Sequence, residues 1–456
     1  MNKINILVII IDSLRPDHLR KYGYFRDTSP NIDKFAEEGT SFLNTYSTLP
    51  RSEGSITSML TGLYPHSHGV RLVWDNKRNQ SVTSLPEILQ NHGYSTCFIR
   101  SGGLAYDEFG KGFKDYDLLS WKIENKIKRG IRKLFHPGIF VGIAEQRVNT
   151  AIKWLKKNIK NNFFLMIHCN DLHWPYPVPE PYDHMFDPNY KGEHDFATLC
   201  KGKITRGELI FGIKKLPKEE IDHAIAHYDG GLRYTDSQIK RLIDFLKENE
   251  VYDNTLVIFT ADHGENFGEH DFYFQHGASI YETSLKIPLI FRLPGKIPKN
   301  KKIENRVQIL DVTPTVLDIL DIPVLGKIEG FNLMPLIEGK IQKVRDFLFI
   351  ESIEEHFPGN KRMYIKGVKG KWRAMIVDDW KIIYIPHPEK DIFELYNIKD
   401  DFKENNNLID KEKEKAEEMK KRILDFLKTQ SNEGEPKAEN LTEKSKKLLI
   451  QAGYLE

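Results

Sequence analysis

The sequence predicts an α/β protein with a mostly parallel sheet and a smaller α+β module at its C-terminal end. Three observations lead there. Short apolar β-rich runs alternate with segments of helical period, the chain is long enough at 456 residues and 40% hydrophobic content for one large core plus a smaller domain, and the pattern changes near Arg345. The strand-like runs are "INILVIII", "STCFIR", "NFFLMIHC" and "TLVIFTAD"; between them lie "NIDKFAEEG", "SLPEILQNHG", "RVNTAIKWLKKN" and "DSQIKRLIDFLKENE", whose apolar residues recur at three and four positions. Strands that read as continuous apolar runs are buried on both faces, which places helices on both sides of the sheet. Beyond Arg345 come "KWRAMIVDDWKIIYI" and "DIFELYNI", strand-like and aromatic, then the charged helical segment "DKEKEKAEEMKKRILDFLK". The expected division is therefore a large α/β domain over residues 1–344 and a small C-terminal module with a helical tail over residues 345–456, with "TQSNEGEPKAEN" as linker.

Composition narrows the function. Sixty-seven basic residues face 65 acidic ones, a formal net charge of +2, so nothing global calls for nucleic acid or an anionic membrane as partner. Cys97, Cys169 and Cys200 lie far apart without CxxC spacing, which fits a reducing compartment better than a disulfide framework or zinc knuckle. The apolar run Ile4 to Ile11 is too short to span a membrane and is stopped by Asp12, so it reads as a buried strand of a cytoplasmic protein.

In parallel sheets ligands gather at the carboxyl ends of the strands. Here Asp12 follows the first run, His168 and Asp171 the third, and Asp262 with His263 the fourth. A single Asp at such a place is ordinarily a cap or turn former; several convergent ones describe a metal site. Asp262 and His263 offer a hard oxygen and an imidazole nitrogen from adjacent residues, a pairing suited to Mn, Zn or Fe more than to Ca.

These residues carry a family resemblance. "NILVIIIDSLRPDHLRKYGY", "TSPNIDKFAEEGTSFLNTYS", "SMLTGLYPHSHGV", "NDLHWPYPVPEPY", "YDGGLRYTDSQIKRLIDFLKE", "FTADHGENFGEHDFYFQHGASIYETSLKIPLIF" and "ILDVTPTVLDILDIPVLGKIEGFNLMPLIEG" resemble, in the same order, the sulfatases of the alkaline phosphatase superfamily. "ELYNIKDD" and the terminal "KKLLIQAGYLE" resemble that family's C-terminal domain and tail. The resemblance implies an alkaline phosphatase-like α/β sandwich. It also implies a nucleophile ten residues before the Gly of the "TG" pair, and counting back from Gly62 gives Ser52. Members that convert a Cys or Ser to formylglycine carry CxPxR or SxPxR; here Gly54 and Ile56 stand at the Pro and Arg positions, so Ser52 is expected unmodified and activated by the metal. The competing reading makes Ser52 or Ser55 a helix cap, and Thr48 is the runner-up nucleophile.

Position by position, the resemblance implies a single divalent metal (Mn, Zn or Fe favoured, Ca possible) held by Asp12, Ser52, Asp262 and His263, with Ser13 a weak ligand or none. That set resembles the site of phosphonate monoester hydrolases. The family's GKWHLG is replaced by "SGGLAYDEFGKGF", so the substrate anion falls to the metal, His173, His276 and Arg51. His173 and His276 are expected to protonate the leaving group. An alternative groups Asp171, His173 and His276 around a second metal; His66, His68 and His270 read as structural. The expected activity is hydrolysis of a small anionic ester of sulfate or phosphate type through a covalent intermediate on Ser52, an unmodified serine favouring phosphoryl chemistry. The alternatives are a phosphotransferase of the same superfamily or a degenerate anion-binding relative. Lys111 to Gln146 and Tyr182 to Lys218 are expected to form the pocket rim, with no readable code for the organic moiety.

Overall fold

The computed structural model describes residues 4–71, 78–100, 110–116, 143–176, 178–192, 208–209, 214–277, 279–353, 371–387 and 390–430. Most of the expected rim segments, Cys200, the linker beyond Gln430 and the terminal "KKLLIQAGYLE" lie outside the described residues.

Eight strands form the central sheet: β1 (Asn5–Ile11), β2 (Thr40–Tyr46), β3 (Ser95–Ile99), β4 (Asp115–Tyr116), β5 (Phe163–Cys169), β6 (Thr255–Thr260), β9 (Lys286–Arg292) and β10 (Lys301–Gln308). Between β6 and β9 runs a two-stranded ribbon, β7 (Asn266–Phe267) and β8 (Tyr273–Gln275). The sheet order is β10-β2-β9-β6-β1-β5-β3-β4, parallel throughout except that β9 runs antiparallel to both its neighbours. All seven residues of β1 are buried, which accounts for its unbroken isoleucine-rich run. Helices α1 (Pro30–Glu37), α4 (Ile143–Asn158) and α5 (Lys218–Glu248) pack together as one group, and α2 (Ser52–Thr61), α3 (Leu85–Asn91) and α6 (Val312–Ile319) as another. No helix among the described residues is long and apolar enough to cross a membrane.

A second sheet, antiparallel, takes β11 (Leu348–Glu351), β12 (Arg373–Val377), β13 (Trp380–Ile385) and β14 (Ile392–Asn397) in chain order, with α7 (Lys413–Gln430) beside it. Its alternating side chains serve two cores. Ile383 and Tyr396 meet Tyr46, Phe272 and Tyr281 of the main body, whereas Ile382 and Leu395 meet Met419 and Ile423 of α7. At the first of these junctions Lys381, fully buried, lies 3.1 Å from Glu282 and 2.8 Å from Glu404, so one ammonium serves two carboxylates. Burial pushes the Glu404 carboxyl up to about 8 against the pull of Lys381, with Glu282 pushing it the same way as burial.

Candidate active site

The register of the central strands brings the strand-end acids to one edge. Ile10 of β1 pairs with His168 of β5 and with Thr260 of β6, so Asp12, His168 and Asp262 emerge side by side. His168 Nε2 stands 3.2 Å from Asp262 Oδ2 and 3.6 Å from Asp12 Oδ2. His263 Nε2 stands 3.6 Å from Asp12 Oδ1 and 3.8 Å from Asp262 Oδ2. All four residues are buried.

Local contacts aim each group inward. Asp262 Oδ1 accepts the backbone N–H of Ser13 (3.3 Å) and of His263 (3.0 Å), which leaves Oδ2 for the cluster. His263 Nδ1 donates to the Gly264 carbonyl at 2.8 Å, which turns its Nε2 toward the acids. A Cβ at Gly264 would collide with the Thr283 carbonyl oxygen, and glycine there lets this turn lie against the neighbouring backbone. Ser13 sits in the left-handed region at φ 61°, held by Tyr228, whose hydroxyl donates to Ser13 O (2.7 Å) and accepts from Arg15 N (2.9 Å). The Ser13 hydroxyl donates to Asp12 Oδ1 at 3.0 Å and so supports that carboxylate from beside it.

The charges are mutually stabilised. Burial opposes ionisation of Asp262, but His263 and His168 outweigh it and hold the carboxyl well below the usual range. Burial likewise opposes the His168 cation, and the hydrogen bond and charge of Asp262, with the charge of Asp12, raise its pKa nonetheless. Two buried carboxylates converging with two imidazoles form a donor set that fits a divalent transition ion. Among the described residues, Asp12, His168 and Asp262 are the one group of three ligand-type side chains with atoms within 4.8 Å of one another.

The hydroxyl-rich stretch from Ser47 to Thr61 resolves by burial. Ser47, Thr48, Ser55 and Ser58 are fully buried and Thr57 and Thr61 nearly so, whereas Ser52, the first residue of α2, is half-buried. Ser52 Oγ lies 3.3 Å from His263 Nε2. The capping alternative does not hold: the residue at the cap is Arg51, without a side-chain cap bond, and Ser55 Oγ donates to the Asp262 carbonyl at 2.6 Å. Thr48 Oγ1 donates to Ser58 Oγ (2.8 Å), which is bonded to His68 Nε2 (2.9 Å). His68 Nδ1 accepts from Val70 N at 3.1 Å, so Nε2 carries the proton. Burial, with Arg71 adding to it, pushes His68 down to about 3 and keeps it neutral.

Three histidine rings follow one another outward from His263, the neighbour of Ser52. The His276 ring is 4.1 Å from that of His263 and 5.1 Å from that of His173. His173 Nδ1 donates to the Trp174 carbonyl at 2.8 Å, turning its Nε2 away from the backbone. His276 Nδ1 is 3.4 Å from Oε1 of the fully buried Glu265. Arg51 is buried, bonded to Glu53 Oε2 at 3.2 Å, and its Nη1 lies 3.7 Å from where a Cβ of Gly277 would sit.

Two further residues join the site. His168 reads in the sequence as a metal-type side chain at a strand end without a place in the ligand set, and its pairing with Ile10 brings it to the acids. Glu265 carried one signal, an acid two residues after His263 in a Gly-flanked turn. The second-metal grouping is not assembled. Asp171 Oδ1 instead accepts from Ala144 N at 3.1 Å at the start of α4, and burial pushes its carboxyl up to about 7. His270 bonds the Lys403 carbonyl at 2.8 Å and stacks on Tyr281, and His66 stacks on Tyr64.

A family model described as sulfatase matches residues 4–322, and one described as the C-terminal part of N-sulphoglucosamine sulphohydrolase matches residues 268–432. The chain is 27% identical over 497 aligned positions to an arylsulfatase of Clostridium perfringens, covering 98% of this chain and 97% of that protein. It is 26% identical to an N-acetylglucosamine-6-O-sulfatase of Bacteroides thetaiotaomicron, covering 95% and 87%. Among solved structures, the phosphonate monoester hydrolase of Agrobacterium radiobacter superposes with a TM-score of 0.72 at 19% identity, over 94% of this chain and 96% of that one. A protein solved with its substrate D-glucosamine-2-N,6-O-disulfate gives 0.72 at 21% identity, over 95% and 99%.

Proposed function

Because the chain belongs to the sulfatase family and is a sulfuric ester hydrolase, we propose that it hydrolyses small anionic esters of sulfate or phosphate type with Ser52, unmodified, as nucleophile. The observation that carries this reading is Ser52 itself. It is the half-buried hydroxyl of its stretch, and its Oγ lies 3.3 Å from an imidazole of the acid–histidine cluster.

Asp12, Asp262, His263 and His168 are the residues that would hold a divalent cation. Such an ion supplies Lewis-acid polarisation of the ester oxygens and eases ionisation of a neighbouring hydroxyl. The N-terminus of α2 adds its positive end at Ser52, where negative charge collects on the transferred group. Ser52 Oγ, its proton lost to solvent, attacks sulfur or phosphorus; the Oγ–S or Oγ–P bond forms as the bond to the leaving oxygen breaks. His276 gives its proton to that oxygen, and the alcohol departs. Water then attacks the same atom, the bond to Oγ breaks, the inorganic anion leaves and His276 recovers a proton. Glu265 holds His276 from behind; His173 and Arg51 supply donors to the substrate anion. The sugar-sulfate specificities named for relatives support a sulfated sugar as one substrate class.

The test is a panel of aryl sulfate, phosphate monoester, phosphodiester and phosphonate substrates on the purified chain, with metal analysis and intact-protein mass. Hydrolysis of at least one class, about one divalent ion per chain and an unoxidised Ser52 are expected. A formylglycine at position 52, or activity untouched in Ser52→Ala, overturns the reading.

A further inference from the structure

A second concave site lies beyond the residues around Ser52. A cavity of about 620 Å³ opens between the turn that follows Asp12, the edge strand β10 with its inner neighbours β2 and β9, and Phe402. Four cations line it: Arg20, Lys21, Lys286 and Lys302. Two carboxylates, Asp17 and Glu304, stand against them. Asp17 is already engaged by Arg15, which donates to both of its oxygens at 3.0 and 2.7 Å, so part of its charge is balanced from outside the cavity. Arg20 is paired with Asp27 at 3.0 Å, and Lys21 bonds the side-chain carbonyl of Asn300 at 3.0 Å. Among the described residues, neither Lys286 nor Lys302 forms an ion pair; the Lys286 ammonium lies 5.4 Å from the centre of the Phe402 ring.

The strands are shaped around this place. The register of β2 with β9 shifts between Phe42 and Thr45, and that of β10 with β2 shifts between Ile303 and Arg306. The two irregularities face each other and are tied by Asn44 Nδ2, which donates to the Glu304 carbonyl at 2.6 Å. Bulges of this kind re-aim side chains at the edge of a sheet. Leu43 and Tyr22 give the wall an apolar part beside the cations.

We propose that this cavity is a second anion-binding site, taking a tetrahedral sulfate or phosphate group, free or carried on a sugar, through Lys286 and Lys302. Neither Asp12 nor any residue placed at the Ser52 site lines it, and it does not depend on how Ser52 reacts. The state of Lys286 agrees. Burial holds its ammonium below the usual lysine range, with Arg306 adding to the effect while Glu282 and Asp17 oppose it, so a bound anion relieves a cost already present.

The experiment uses the full chain carrying Ser52→Ala, so that no probe is consumed, titrated calorimetrically with inorganic sulfate, glucose 6-sulfate and glucose 6-phosphate. Two classes of site are expected. Adding Lys286→Met with Lys302→Ala weakens one class at least tenfold and leaves the other unchanged; the exposed Lys302→Ala alone gives a smaller loss if Lys286→Met disturbs folding. Equal affinity for free sulfate and the sugar esters identifies the free oxyanion as ligand, and tighter binding of the esters identifies the sugar-borne group. With Ser52 present, the double lysine variant should hydrolyse a small aryl ester within twofold of the unaltered chain. Unchanged isotherms in the lysine variants overturn the proposal, and so does loss of aryl ester hydrolysis in a folded double variant, which would make the cavity part of the catalytic centre.

Discussion

Ser52 and Ser58 lie six residues apart on α2, and replacing each with alanine should separate chemistry from stability. Ser52→Ala removes a half-buried hydroxyl that lies 3.3 Å from His263 Nε2 and also bonds the Asp262 carboxylate, a change that takes little from the packing. Turnover should fall by at least about a thousandfold, roughly 4 kcal/mol of transition-state stabilisation, with the unfolding midpoint in urea nearly unmoved. Ser58→Ala does the reverse. It leaves the Thr48 hydroxyl and the His68 Nε2–H, both fully buried, without their acceptor. At about 1–3 kcal/mol for each stranded donor, the fold should lose on the order of 2–6 kcal/mol while the surviving folded protein turns over normally. Thr48→Ala should be the milder stability variant, costing about 1–2 kcal/mol. Steady-state kinetics on an aryl ester, normalised to folded fraction, and urea unfolding of the same samples read both quantities. Ser52→Ala retaining kcat/KM within tenfold refutes the nucleophile; Thr48→Ala abolishing turnover in folded protein moves that role to Thr48.

His168→Ala should lower bound divalent metal per chain, measured by plasma mass spectrometry after dialysis, because it removes the imidazole 3.2 Å from Asp262; full retention would restrict the ligands to Asp12, Asp262 and His263. His276→Ala should slow esters of poor alkyl leaving groups by about a hundredfold more than nitrophenyl esters, as loss of a proton donor requires; equal slowing of both excludes that role. Asp171 has a folded pKa of about 7, above its unfolded value, so its contribution to stability is full below about pH 4 and is lost as pH rises through 7. Asp171→Asn keeps an acceptor for the Ala144 N–H and removes the titration. Its stability relative to the unaltered chain should therefore rise between pH 4 and 7 and then level off; a flat difference in urea unfolding across that range would place the Asp171 pKa elsewhere.

What lies along the chain was legible from the sequence. The alternation of apolar runs with helical segments reports burial of strands on both faces, and it gives the α/β sheet. Asp12, Asp262 and His263 stand out because a strand end is a local position, readable from where an apolar run stops. Ser52 is picked out by the family resemblance, ten residues before Gly62. What depends on strand order was decided by the tertiary structure. β5, β1 and β6 are neighbours in the sheet although their residues are some 90 to 250 positions apart, and that adjacency brings His168 onto Asp12 and Asp262. Burial is likewise a three-dimensional quantity: seven hydroxyls lie within fifteen residues, and the packing of α2 against its neighbours leaves Ser52 half-open while it seals Thr48 and Ser58. Asp171 and Glu265 look alike as sequence, each an acid near a histidine. One accepts the first N–H groups of α4 and the other stands behind His276, because the chain turns differently after β5 than after β6.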